Sequence, residues 1–385
     1  MKQSKRIGIV SWGSTSALGH LPEDIWQAYL QPKTAIKQRD DSWVASLPAN
    51  TEDRIHSLSQ QEKGYHRLDR SVLLAMLAGE QALQRADWKS KGVESGLYLG
   101  SSRGATGSWE AYFQQFHDQK ERLSPQSSPL TTAGNLATHT AQHLGIHGFT
   151  SDNSITCSTA LHAVANAVAW LESGRYSQFL AGGTEAPLTP FTLAQMNALK
   201  IYSNLSGTPF PNRALDLNKT ENTMVLGEGS ALFALETAAT KPLAHISGLG
   251  YAREDTASLT AISKNGLALQ KAMGQALREA GKKTVDVVIC HSPGTRLGDL
   301  SESRAIRSVF GENMPSLTSN KWKLGHTLGA SGGLSLELAL LLLEHQTFLP
   351  IPYLTPTVPP KNIRSIMVNA LGFGGNAISL IITKP

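Results

Sequence analysis

The chain has 385 residues, 41% of them apolar and 17% charged, with 34 glycines and a formal net charge of +5. This is the make-up of a folded globular protein with volume for a large core, and it excludes a disordered or fibrous chain. Lysine and arginine are scattered without a basic tract, which argues against nucleic-acid binding, and two cysteines, Cys157 and Cys290, exclude a disulfide framework.

The basic start, residues 1–6, runs into Gly8, Ile9 and Val10 and then into Ser, Gly and Thr, so it lacks the continuous apolar core of a signal peptide. The most apolar stretch, residues 334–343, is interrupted by Glu337 and falls short of the roughly 20 residues a membrane span needs. A cytoplasmic protein with no membrane span is expected, and a scarcity of cysteine suits a reducing compartment.

In chain order the elements come in two similar series. A strand at residues 6–13 runs into glycine, and a helix over 70–86 follows, with apolar residues at three- and four-residue spacing. A strand at 95–102 ends in small polar residues, and a small-residue helix spans 158–172. The series closes at 223–235 on a strand pair centred on glycine. It then repeats: strand 244–250, helix 266–280, strand 285–292, small-residue helix 328–344, and a glycine-centred strand pair over 366–382. Alternating strands and helices predict a layered α/β fold. The repetition predicts an internal duplication, residues 1–236 and 237–385, with a site where the halves meet.

Three residues at strand-to-helix junctions draw chemical interest. Cys157 follows a short strand and precedes an alanine-rich helix, where free N–H groups and the helix dipole would lower a thiol pKa, as an acyl-accepting nucleophile requires. A buried structural cysteine is the other reading. His291 ends the strand 287–290 and opens a glycine-containing loop, and His326 precedes the helix 328–344. Two imidazoles beside a cysteine can donate hydrogen bonds to a thioester carbonyl as a carboxylate is lost. The glycines around Phe373 allow a close-approach loop whose N–H groups suit an oxyanion, or simply a bulged hairpin. His139, His143 and His147 lie near one another without the cysteines or carboxylates of a metal site, and no nucleotide-binding glycine motif occurs.

With these motifs in order, the chain resembles the β-ketoacyl synthase family. Residues 67–70, 134–148, 154–163, 181–186, 226–231, 291–302, 320–333 and 371–375 carry the likeness across nearly the whole sequence. The resemblance implies a thiolase-like fold of two pseudo-symmetric βαβαβαββ halves in a five-layered α/β/α/β/α arrangement. It implies Cys157 as nucleophile, the N–H groups of Cys157 and Phe373 as oxyanion hole with Phe373 also gating, and His291 and His326 as promoters of decarboxylation. Lys321 would hold the surroundings of His326, Thr295 would contact the phosphopantetheine arm, and Glu302 would brace the loops. It further implies no metal, no cofactor beyond the phosphopantetheine of an acyl carrier protein, and a homodimer or a heterodimer with another ketosynthase-like subunit.

The departures from the family pattern are specific. Ser292 stands for a glycine, Pro293 for a threonine and Arg296 for a proline at the tunnel mouth, and Pro293 and Arg296 would both bear on pantetheine entry. Asn376 and Ala377 replace Thr-Asn, and Lys219 to Asn222 occupy the place of Arg-Asp-Gly. They raise a second reading, a non-elongating partner of the chain-length-factor kind, against which stands retention of Cys157, His291, His326 and Lys321. A degradative thiolase fits less well, because no cysteine follows Cys290. Fatty acid synthesis and a type II polyketide or polyene pathway both suit the sequence.

Overall fold

A computed structural model describes residues 7–88, 94–119, 122–355 and 358–385. The first half supplies strands β1 (Ile7–Thr15), β2 (Gly96–Gly100), β3 (Thr150–Asn153), β4 (Gln178–Glu185) and β5 (Gly229–Thr237). The second supplies β6 (Ala244–Arg253), β7 (Val287–Ile289), β8 (Ser316–Thr318), β9 (Ser365–Gly372) and β10 (Asn376–Thr383). They join in the order β3-β2-β4-β5-β1-β6-β10-β9-β7-β8. Numbered within its own half, each set of five runs 3-2-4-5-1, with the last strand antiparallel to both neighbours. The halves touch edge to edge through β1 and β6, paired antiparallel from Ile7↔Ile246 to Ile9↔Ala244. A small three-stranded sheet, Lys37–Arg39, Ser42–Ala45 and Leu226–Gly227, lies apart.

Helix polarity sorts the layers. Helix α1 (Arg70–Ala86), α2 (Asn135–Leu144), α3 (Thr159–Glu172), α4 (Leu267–Glu279), α5 (Arg296–Phe310) and α6 (Ser331–His345) follow the strands in the pattern βαβαβαββ, twice. In α6 every residue from Ser331 to Leu343 is buried, because apolar side chains fall on all its faces, Glu337 being the one charged residue among them. Such a helix needs protein on all sides. It packs on α3 and on strands of both halves, so α3 and α6 form the central layer. Helices α1 and α4 carry one apolar face and close the outside over β1 and β6. The thiolase-like, five-layered arrangement expected from the sequence is the one observed.

The ends of α1 are local sequence effects. Asp69 caps its start by accepting from the Ser71 N–H, and the left-handed Asp87 ends it.

One expected element is different. The closing strand pair of the first half is not a hairpin about Gly227: β5 pairs instead with β4, antiparallel from Gln178↔Glu236 to Glu185↔Gly229. The intervening residues, 186–228, leave the sheet and build part of the cavity wall described below. A long insertion between paired strands leaves no local turn signal, which is why the glycine at 227 misled.

Candidate active site

Four loops at the ends of β3, β7, β9 and the short helix Lys321–Leu324 converge on one cavity of about 660 Å³. Cys157, His291, His326, Thr295 and Phe373 line it, as do Pro293 and Arg296. Lys321 and Glu302 do not line it; both are buried behind its wall.

Cys157 sits in the turn from β3 to α3. Thr156, just before it, is held in the left-handed region at φ 47°, a conformation that costs a β-branched residue of order 1–3 kcal/mol. The turn is tied down locally: Ser158 N–H and Oγ both donate to the Ile155 carbonyl, and Thr159 Oγ1 donates to the Thr156 carbonyl at 2.6 Å. Cys157 is 8% exposed. Burial, together with the Glu185 carboxylate, pushes it up to about 12, while Lys321 acts in the opposite sense. Dehydration in the closed site thus acts against the lowering expected at a helix N-terminus.

His291 follows β7 after one residue, and its loop is clamped by Glu302 of α5. The carboxylate accepts from the His291 N–H at 2.9 Å, the Ser292 N–H at 2.7 Å, Ser292 Oγ at 2.9 Å and Asn369 Nδ2 at 3.2 Å. Asp299 holds the next segment, accepting from the Gly294 N–H at 3.1 Å and from Lys219 Nζ at 2.6 Å. Thr295 is the residue before α5, and its side chain makes no capping bond.

His326 is fixed through its backbone. Its N–H donates to the Val225 carbonyl at 2.7 Å, and its carbonyl accepts from Gly227 at 3.1 Å. The two imidazole rings meet edge to face, centroids 5.3 Å apart. Burial holds both neutral, His291 well below its ordinary value and His326 down to about 3, with His326 and Lys321 adding to the effect on His291 and Lys321 to that on His326. His326 Nδ1 is buried without a hydrogen-bond partner among the described residues. A neutral imidazole that lacks a partner can take a proton or point an N–H at a developing oxyanion.

Lys321 donates to Asn320 Oδ1 at 3.0 Å and Ser335 Oγ at 3.1 Å, both neutral oxygens, and burial lowers it to about 8. Phe373 is carried on the turn between β9 and β10, where Gly374 and Gly375 both have positive φ. Its carbonyl accepts from Thr156 Oγ1 at 3.4 Å, so the turn bearing Phe373 lies against the turn bearing Cys157. A Cβ on Gly372 would collide with that same Thr156 Oγ1.

Two residues of the site were not singled out from sequence as part of it. Glu185, at the end of β4, is 1% exposed and accepts from Ser101 Oγ, the Ser102 N–H and Oγ, the Arg103 N–H and, at 2.8 Å, the Gly329 N–H. It ties the loop after β2 to the His326 loop. The signal was present as a carboxylate ending a small-residue strand. Arg103 lines the cavity directly and carried no motif signal of its own.

The comparisons with known proteins cover the same ground. The family profiles described as beta-ketoacyl synthase, N-terminal domain, and beta-ketoacyl synthase, C-terminal domain, match residues 4–241 and 243–355. A 3-oxoacyl-[acyl-carrier-protein] synthase 2 of Staphylococcus aureus (strain COL) is 27% identical over 419 residues, covering 100% of this chain and 99% of its own. Among solved structures, the ishigamide ketosynthase/chain length factor superposes with a TM-score of 0.88 at 20% identity, over 99% of this chain and 100% of that one. A type II PKS acyl-carrier protein in complex with its ketosynthase bound to the hexaketide gives 0.85 at 21% identity, over 100% of each chain. These two structural likenesses concern the fold.

Proposed function

The chain belongs to the β-ketoacyl synthase family, and on that footing we propose that it is a β-ketoacyl-[acyl-carrier-protein] synthase performing decarboxylative Claisen condensation. The observation that carries the reading is one cavity lined by Cys157 and by the edge-to-face pair His291 and His326. Cys157 Sγ attacks an acyl thioester, its proton passing to a neutral imidazole and on to the departing thiolate. The N–H groups of Cys157 and Phe373 receive the tetrahedral oxyanion. A malonyl thioester then loses carbon dioxide while His291 and His326 donate to its carbonyl oxygen, and the resulting enolate carbon attacks the acyl–Cys157 thioester. The carbon–sulfur bond to Cys157 breaks, and the departing thiolate takes up a proton from water to regenerate the thiol. Lys321 and Glu302 act from behind the wall, by charge and by loop position, and Thr295 contacts the pantetheine arm.

The enzyme brings no cofactor of its own in this reading; an acyl carrier protein delivers the phosphopantetheine. The solved relatives include a ketosynthase with its acyl-carrier protein and a ketosynthase/chain length factor, and a dimeric assembly with a second synthase-like subunit is part of the proposal. No helix among the described residues is long and apolar enough to cross a membrane.

Intact-protein mass after mixing with acyl-carrier proteins tests the proposal. A gain of one acyl group that disappears in Cys157→Ala is the expected outcome. A folded protein that accepts no acyl group from any donor would favour the non-elongating partner subunit instead.

A further inference from the structure

Every carboxylate and all but two cations on the cavity wall are already engaged. Asp216 pairs with Arg213 at 2.6 Å, Glu254 accepts from Ser263 and from the Ala268 N–H, and Lys219 pairs with Asp299. Arg296 is exposed to solvent. Arg103 is different: it is partly buried, its guanidinium donates only to Gln195 Oε1, and its Nε is buried with no partner among the described residues. No carboxylate there lies within ion-pair distance of it.

The position of Arg103 is built, not incidental. Glu185 holds the Ser101 side chain and the backbone N–H groups of Ser102 and Arg103, and the Ser102 carbonyl accepts from Ser154 Oγ in the turn that carries Cys157. Gln195 precedes Met196, which packs with Cys157, Met224 and Leu328 in one apolar cluster. A guanidinium taken partly out of water beside apolar side chains, without an anion, is costly to keep unless an acceptor arrives with the ligand.

We infer that Arg103 selects acyl chains bearing a hydrogen-bond-accepting oxygen remote from the thioester, a keto or carboxylate oxygen, over plain alkyl chains. The inference rests on the proposed acyl transfer to Cys157 and names its substrate class. In the step concerned, the Cys157 Sγ–carbonyl bond forms, the donor carbon–sulfur bond breaks, and the thiol proton leaves with the donor thiolate. The remote oxygen meanwhile accepts from the guanidinium, whose planar fork suits a carboxylate best.

Paired donors on acyl-carrier protein test this by the rate of mass gain: valeryl against levulinoyl, and hexanoyl against adipoyl. Wild type is expected to load the oxygenated member at least about tenfold faster, as a site built around a polar group rejects its apolar analogue. Arg103→Met, which keeps an apolar stem, should lose that ratio while still loading valeryl, and Arg103→Lys should restore part of it. A preference for levulinoyl alone assigns a keto oxygen, and one for adipoyl alone a carboxylate; either supports the inference. Equal loading of paired donors by wild type, or an unchanged ratio in Arg103→Met, overturns it. If Arg103→Met does not fold, Arg103→Gln takes its place, with the same loss of ratio expected. No loading of folded wild type by any donor overturns the acyl-transfer reading itself, and this inference with it.

Discussion

Cys157, His291 and His326 share one condition: each is buried, and each is held in its uncharged form at neutral pH. In the proposed reaction, a thiol raised by burial would form its thiolate as its proton moves to imidazole. Behind it, Glu337 of α6 is fully buried, accepting from Ser14 Oγ and from Tyr29 Oη, and burial raises it from 4.5 to about 7. Between those two values the folded chain keeps a proton that the unfolded chain has released, so this group's contribution to stability is full below 4.5 and is lost as pH rises to about 7. Glu337→Gln, which keeps the shape, is expected to gain on wild type by up to ~3 kcal/mol between pH 5 and pH 8. Urea unfolding at the two pH values checks it; a constant difference would count against a buried carboxylic acid there. His326 works in the opposite sense, its lowered value making stability rise with pH between about 3 and 6.5.

At the scale of elements, the duplication repeats a packing device. A Cβ on Gly13 of β1 would collide with the Ala78 carbonyl of α1, and a Cβ on Gly250 of β6 with the Ala272 carbonyl of α4. In each half the first strand thus lets its outer helix lie against bare backbone. Gly13→Ala and Gly250→Ala are each expected to destabilise by about 1–3 kcal/mol, the range for overpacking a close contact. Chemical denaturation should return losses of similar size for both; a neutral result at either would show that its helix can shift outward. Elements with a strong period were legible from the sequence: α1 and α4 fall within a residue of the ranges the apolar spacing predicts. The partner of β5 was not, because pairing with β4 across the insertion at 186–228 depends on the sheet and not on any local turn.

At the scale of the molecule, the two halves are not separate cores. One apolar cluster contains Ile9, Phe233 and Leu161 of the first half with Leu336, Ile366 and Leu380 of the second, and β1 pairs with β6 across the join. Unfolding is expected to be a single cooperative transition by calorimetry and by far-ultraviolet dichroism alike. Two separated transitions would mean that each half folds on its own.

Where the helices and most strands lie, that the series occurs twice, and that Cys157, His291 and His326 stand at strand-to-helix junctions are all legible in the residues alone. These are properties of short stretches, set by side-chain period, small residues and turn chemistry. It takes the folded chain to bring the three residues to one cavity, to raise the Cys157 thiol by dehydration, to let Glu185 tie two loops of different halves, and to set Arg103 on the cavity wall without a carboxylate. Ionisation and pairing depend on how much water is excluded and on which charges distant segments bring near, and neither quantity exists until the chain has closed on itself.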